Sequence, residues 1–87
     1  MKIVKINAMW CSACISMHKI WKEIEIKYPE IEIVSYDYDI DEDEVKKYNV
    51  GEVLPVAIFY NNEEELTRLN GEKTLKEIED VIEKGVK

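Results

Sequence analysis

The chain has 87 residues, enough for one domain over 1–87 built on a single core and too few for a second. Hydrophobic residues make up 46% of it and charged ones 36%, with only three glycines and two prolines, which excludes a disordered or collagen-like chain. Twelve basic residues against nineteen acidic ones leave a formal net charge of −7, which repels phosphate backbones and anionic lipid, so neither nucleic acid nor a membrane surface is expected as a partner.

Without an internal repeat, low-complexity tract or linker, the sequence resolves into a simple succession of elements. Lys2 to Asn7, rich in Ile and Val, reads as a first strand. Cys14, Met17, Trp21, Ile24 and Tyr28 recur at steps of three and four, which predicts a helix from about Ser12 to Tyr28, stopped by Pro29. Ile31 to Tyr38 is dense in β-branched and aromatic residues and predicts a second strand. Asp41 to Tyr48 suits a short acidic helix with Val45 and Tyr48 as its apolar contacts.

Pro55 precedes Val56-Ala57-Ile58-Phe59-Tyr60, an apolar run of strand length suited to a position covered on both faces. Asn61-Asn62 predicts a turn, Glu64 to Leu69 the returning strand of a hairpin, and Asn70-Gly71 a second turn. Thr74-Leu75-Lys76-Glu77 has the form of a capping box. It opens a last helix with Leu75, Ile78, Val81 and Ile82 inward, with Gly85 as its expected stop. The order is β-α-β-α-β-β-α, in which the first strand, helix and strand form a right-handed parallel unit and the last two strands add an antiparallel edge.

Cys11 and Cys14 are too close in sequence to act as a staple, because so small a loop removes little denatured-state entropy. In a reducing compartment such spacing reads as catalytic or metal-binding. A cytoplasmic location is expected: no apolar run approaches the roughly 20 residues of a membrane span, and Met1-Lys2-Ile3-Val4-Lys5 is interrupted by charge before a signal-peptide core could form. The pair falls where a strand ends and a helix begins. Cys11 at the helix N-terminus gains thiolate stabilisation from the exposed N–H groups and the helix dipole, which makes it the nucleophile. Cys14, about one turn inside and expected to be the more buried, resolves the mixed disulfide. Trp10 offers a flat apolar surface to an extended peptide, with Met9 and Ala8 keeping the approach uncharged; the alternative is that Trp10 packs in the core.

Trp10-Cys11-Ser12-Ala13-Cys14 after a first strand, Leu54-Pro55 leading into an apolar strand, and Gly71 after the following hairpin together resemble the thioredoxin superfamily. The resemblance spans nearly the whole chain and implies a minimal, glutaredoxin-sized thioredoxin fold of the α/β class, a central four-stranded mixed sheet flanked by three helices. It implies a monomeric thiol–disulfide oxidoreductase without a cofactor that reduces protein disulfides and draws electrons from a thiol or a flavoprotein reductase. In that family a cis proline faces the cysteines and the residue before it offers backbone hydrogen bonds to substrate; Pro55 and Leu54 occupy those positions.

This sequence departs from the family in three ways. It lacks the strand and helix that precede the first strand in full thioredoxins. Between the cysteines stands Ser12-Ala13, where thioredoxin has Gly-Pro and typical glutaredoxins have Pro-Tyr, so neither family's potential transfers. Lys5 takes the position of a buried Asp thought to help deprotonate the resolving cysteine, and Ser35 that of a nearby Lys. If Lys5 approaches the site, its charge favours the thiolate of Cys11, which stabilises the reduced form and makes the couple more oxidising. Snorkelling to a sheet edge is its alternative fate.

Other patterns point elsewhere more weakly. Cys11, Cys14 and His18 provide three zinc ligands and the sequence supplies no fourth, so no metal is expected. Asp37-Tyr38-Asp39-Ile40-Asp41 mimics the start of a calcium loop, yet the sixth position is Glu42 and the twelfth is Tyr48. A solvated strand end and an acidic first helical turn account for it. The competing functions are a glutathione-dependent glutaredoxin-like enzyme, disfavoured by Trp10 and by Asn70-Gly71-Glu72 where the glutathione-gripping loop has Gly-Gly-Asp, and a non-catalytic redox-sensing binding module.

Overall fold

Lys2–Asn7 forms the first strand, β1, and its alternating side chains divide the molecule into two halves. The computed structural model describes residues 1–51 and 53–86. Helix α1 runs over Ser12–Lys27, strand β2 over Glu32–Asp37, helix α2 over Glu42–Lys47, strands β3 and β4 over Val56–Asn61 and Glu64–Asn70, and helix α3 over Leu75–Val86. This is the expected β-α-β-α-β-β-α order, with element ends moved by one or two residues.

The four strands form one mixed sheet in the order β2-β1-β3-β4. β1 runs parallel to β2, joined through α1 as a crossover, and antiparallel to β3, which pairs antiparallel with β4. β1 and β3 are therefore the central strands. On one face Ile3, Ala57 and Phe59 meet Met17, Trp21 and Ile24 of α1 and Ile78 and Ile82 of α3. On the other face Val4, Ile6, Val56 and Ile58 meet Val45 of α2, together with Ala8, Cys11 and Leu54. The continuous apolar run of β3 is buried from Val56 to Phe59 because both faces are covered.

With only six residues, α2 cannot span its face of the sheet. Tyrosines complete the cover: the Tyr48 ring lies 6.1 Å from the rings of both Tyr36 and Tyr60. Arg68 then fastens β4 to the end of α2. Its guanidinium donates two bonds of 2.8 Å to the Glu65 carboxylate and reaches the Tyr48 carbonyl at 3.1 Å and the Asn49 carbonyl at 3.4 Å.

The turns follow local chemistry. Asn62 adopts φ 61° in the hairpin and Gly71 φ 84° after it, both in the left-handed region that Asn and Gly tolerate. The capping box forms as the sequence predicts, with the Glu77 N–H donating to Thr74 Oγ1 and the Thr74 N–H donating to Glu77 Oε1, each at 3.2 Å. Gly85 differs from expectation. It lies within α3 rather than stopping it, and a side chain there would collide with the Met1 side chain and come within 3.1 Å of Leu66 Cδ1. Close approach, not helix termination, accounts for this glycine.

Candidate active site

The loop Ala8-Met9-Trp10 brings the chain from the end of β1 to the start of α1, and Cys11 caps the helix. Its backbone is extended, at φ −90° and ψ 108°, its N–H donates to the Ala8 carbonyl at 3.2 Å, and its Sγ accepts the Cys14 N–H at 3.2 Å. The sulfur thus takes the role a Ser or Asp oxygen plays at an ordinary N-cap. The first turn of α1 contains no acid, so no carboxylate offsets the positive end of the helix beside Cys11. Both cysteines are thiols.

Burial reverses one expectation. Cys11, at 7% exposure, is the more buried of the two, packed in the cluster with Ala8 and Leu54, whereas Cys14 is only partly buried. Cys14 lies one turn along α1 and lines an open cavity between that helix and the strands, which leaves it less enclosed. Its thiol is nonetheless pushed up to about 11, first by desolvation and then by its hydrogen bond with Cys11. The two sulfurs therefore differ in setting: Cys11 caps the helix and is buried, whereas Cys14 is more open and holds its proton more firmly than a free thiol.

Trp10 is 62% exposed and so lies outside the core. Its indole Nε1–H donates to Asp39 Oδ2 at 2.7 Å, and its ring meets Tyr38 edge-on at 6.1 Å. Asp39 belongs to the acidic run, which is a hydrogen-bonded turn. Asp37 Oδ1 accepts the N–H groups of Asp39 and Ile40, and Asp41 Oδ2 accepts the Asp37 N–H at 2.8 Å. That backward bond explains why Asp41, the N-cap of α2, makes no side-chain bond to its own helix. Met9 and Ile15, also strongly exposed, extend the apolar surface to either side of the cysteine segment. The Trp10–Asp39 contact and the part played by Ile15 escape a sequence reading. Ile15 alone left a trace, as an apolar residue off the buried stripe of α1.

Leu54 packs in the same apolar cluster as Cys11. The Leu54–Pro55 peptide is cis, and the Pro55 carbonyl accepts the Gly71 N–H at 2.8 Å. Pro55 is buried and borders Met17 and Trp21. The fold therefore carries both residues to the end of the sheet where α1 begins.

Lys5 does not reach a sheet edge, because β1 is internal. It pairs with Ser35 on one side and Ala57 on the other, and its Nζ lies 5.0 Å from the centroid of the Trp21 ring. Lys5 and Cys14 line the same cavity of ≈ 440 Å³, together with Asn7, His18, Ser35 and Asp37. The Asn7 side chain donates to Ser35 Oγ at 2.8 Å. Burial lowers the pKa of Lys5 from its ordinary value, partly opposed by the charge of Glu25. His18 is exposed on the outer wall of this cavity, and among the described residues no group of three His, Cys, Asp or Glu is placed to hold a metal ion.

Comparison with known proteins agrees with this geometry. The family model described as thioredoxin matches residues 1–84. Thioredoxin H5 of Oryza sativa subsp. japonica is 36% identical over 69 residues, covering 79% of this chain and 50% of the relative, so the chain spans about half the length of that curated relative. Among solved structures, the reduced thioredoxin pre-protein of Schistosoma mansoni superposes with a TM-score of 0.85 at 30% identity, over 95% of this chain and 76% of that one. A malarial protein gives a TM-score of 0.90 at 23% identity, over 99% of this chain and 97% of that one, a likeness of fold.

Proposed function

Because the chain belongs to the thioredoxin family, we propose that it is a thiol–disulfide oxidoreductase that reduces protein disulfides, with Cys11 as nucleophile and Cys14 as resolving thiol. The observation that carries this reading is the Cys11 sulfur at the N-cap of α1, accepting the Cys14 N–H. A thiolate at Cys11 attacks one sulfur of the substrate disulfide, that S–S bond breaks, and the first substrate thiolate leaves. Cys14 then gives up its proton and attacks Cys11 Sγ. The mixed disulfide breaks, the second substrate thiolate leaves, and a Cys11–Cys14 disulfide remains. Two electrons pass to the substrate, whose two sulfurs each take up a proton, and the protein dithiol is oxidised.

Trp10, Leu54 and Pro55 form the substrate-binding surface in this reading, supported by the exposed indole and by the packing of Leu54 against the Cys11 cluster. An extended, disulfide-bearing segment lies against the Trp10 face. A separate thiol or a flavoprotein reductase returns the disulfide to the dithiol, and no cofactor enters the cycle. A reducing, cytoplasmic setting suits a nucleophile that must be regenerated as a thiol. Residues 1–87 act as one domain and as a monomer, although residues 52 and 87 lie outside the described residues.

Trapping tests the division of labour. Cys14→Ser mixed with insulin is expected to accumulate a covalent adduct of the protein and one insulin chain, visible by mass spectrometry and released by dithiothreitol. Cys11→Ser is expected to form none. Adducts of equal yield in both variants, or in neither, would refute the assignment.

A further inference from the structure

The proposed cycle leaves the second step without a helper, since Cys14 is the thiol that desolvation keeps protonated. Among the described residues, the cavity that Cys14 lines has one lysine, Lys5, in its wall. Lys5 projects from the central strand, and its ammonium is held against the face of Trp21, a buried residue of α1 two turns after Cys14. A cation fixed in partly desolvated surroundings acts more strongly on a neighbouring anion than one in bulk water.

We propose that Lys5 is a positioning residue for resolution: its ammonium, steadied over Trp21, stabilises the thiolate that forms at Cys14 when the mixed disulfide is opened. The inference rests on the dithiol cycle above and assigns Lys5 to Cys14 rather than to the nucleophile. The proton lost by Cys14 passes to solvent through the open cavity, the Cys14 sulfur bonds to Cys11 Sγ, and the substrate sulfur leaves with the electron pair. Lys5 transfers no proton. Of the other charged groups near Lys5, Glu25 of α1 partly opposes the loss of charge that burial favours, whereas half-buried Asp37 of β2 and exposed His18 of α1 line the same cavity. β3 contributes the uncharged Ala57 opposite.

A chromogenic aromatic disulfide, dithiobis(nitrobenzoate), separates the two steps in one trace. Attack by Cys11 releases the first coloured thiolate, and resolution by Cys14 releases the second. In Lys5→Met the first phase is expected to keep its rate while the second slows by about tenfold, the effect of one pKa unit at Cys14. The midpoint of the second phase with pH is expected to move upward, and Lys5→Arg, which keeps the charge, to stay near wild type. An unchanged second phase in Lys5→Met overturns the proposal. So does equal slowing of both phases in the Met and Arg variants, the mark of a merely structural role. Release of only one thiolate by the wild-type protein overturns the dithiol cycle beneath it.

Discussion

At the scale of single residues, the site depends on making two similar thiols unequal. Cys11 is the more buried and caps the N-terminus of α1, whereas Cys14 is the more open yet holds its proton. The proposed ranking of the two thiols rests on the helix terminus and not on accessibility. Trp10 shows a second kind of specialisation, a large aromatic left in solvent and tethered by Asp39 instead of being packed away. Because so little of it is buried, Trp10→Ala is expected to change stability by no more than about 0.5 kcal/mol. It should raise KM for insulin reduction several-fold at similar kcat if, as proposed, the residue contacts substrate and not the sulfurs. Steady-state kinetics beside thermal unfolding checks this, and a fall in kcat at unchanged KM would show that Trp10 acts on the sulfurs.

At the scale of elements, the strand-to-helix junction of β1 and α1 places both cysteines, and β3 and β4 bring Leu54-Pro55 to the same end. Much of this was legible in the sequence because it is periodic or local. The three- and four-residue steps of Met17, Trp21 and Ile24, the apolar run from Val56, and the reciprocal Thr74 and Glu77 each report their own neighbourhood. Contacts between distant segments leave no such trace. Trp10 with Asp39, Lys5 with Trp21, Gly85 against Met1, and the openness of Cys14 all depend on how finished elements meet. The Arg68 clamp is of the same kind. It joins β4 to the end of α2, and Arg68→Ala is expected to cost about 1 kcal/mol at neutral pH, the carboxylate part being screened by solvent. Arg68 holds the Glu65 carboxyl below its usual pKa range. A depressed carboxylate contributes stability that is fully present above the unfolded value of about 4.3 and is lost as pH falls through the folded one. The gap between wild type and Arg68→Ala in urea unfolding should therefore narrow in acid; a gap that widens would contradict the ion pair.

At the scale of the whole molecule, one four-stranded sheet carries a dithiol at one end, with α1 and α3 on one face and α2 with its tyrosines on the other. On a protein of net charge −7, exposed Met9, Trp10 and Ile15 form an apolar surface beside the cysteines, bordered by the Asp39 carboxylate. The central proposal is that the Cys11 sulfur attacks disulfides. The most direct measurement is reduction of insulin by dithiothreitol, followed as precipitation of the freed chain. The wild-type protein is predicted to accelerate precipitation at catalytic concentration and Cys11→Ser to leave it at the uncatalysed rate. A wild-type protein that gives no acceleration, or a Cys11→Ser variant that matches it, would contradict the account.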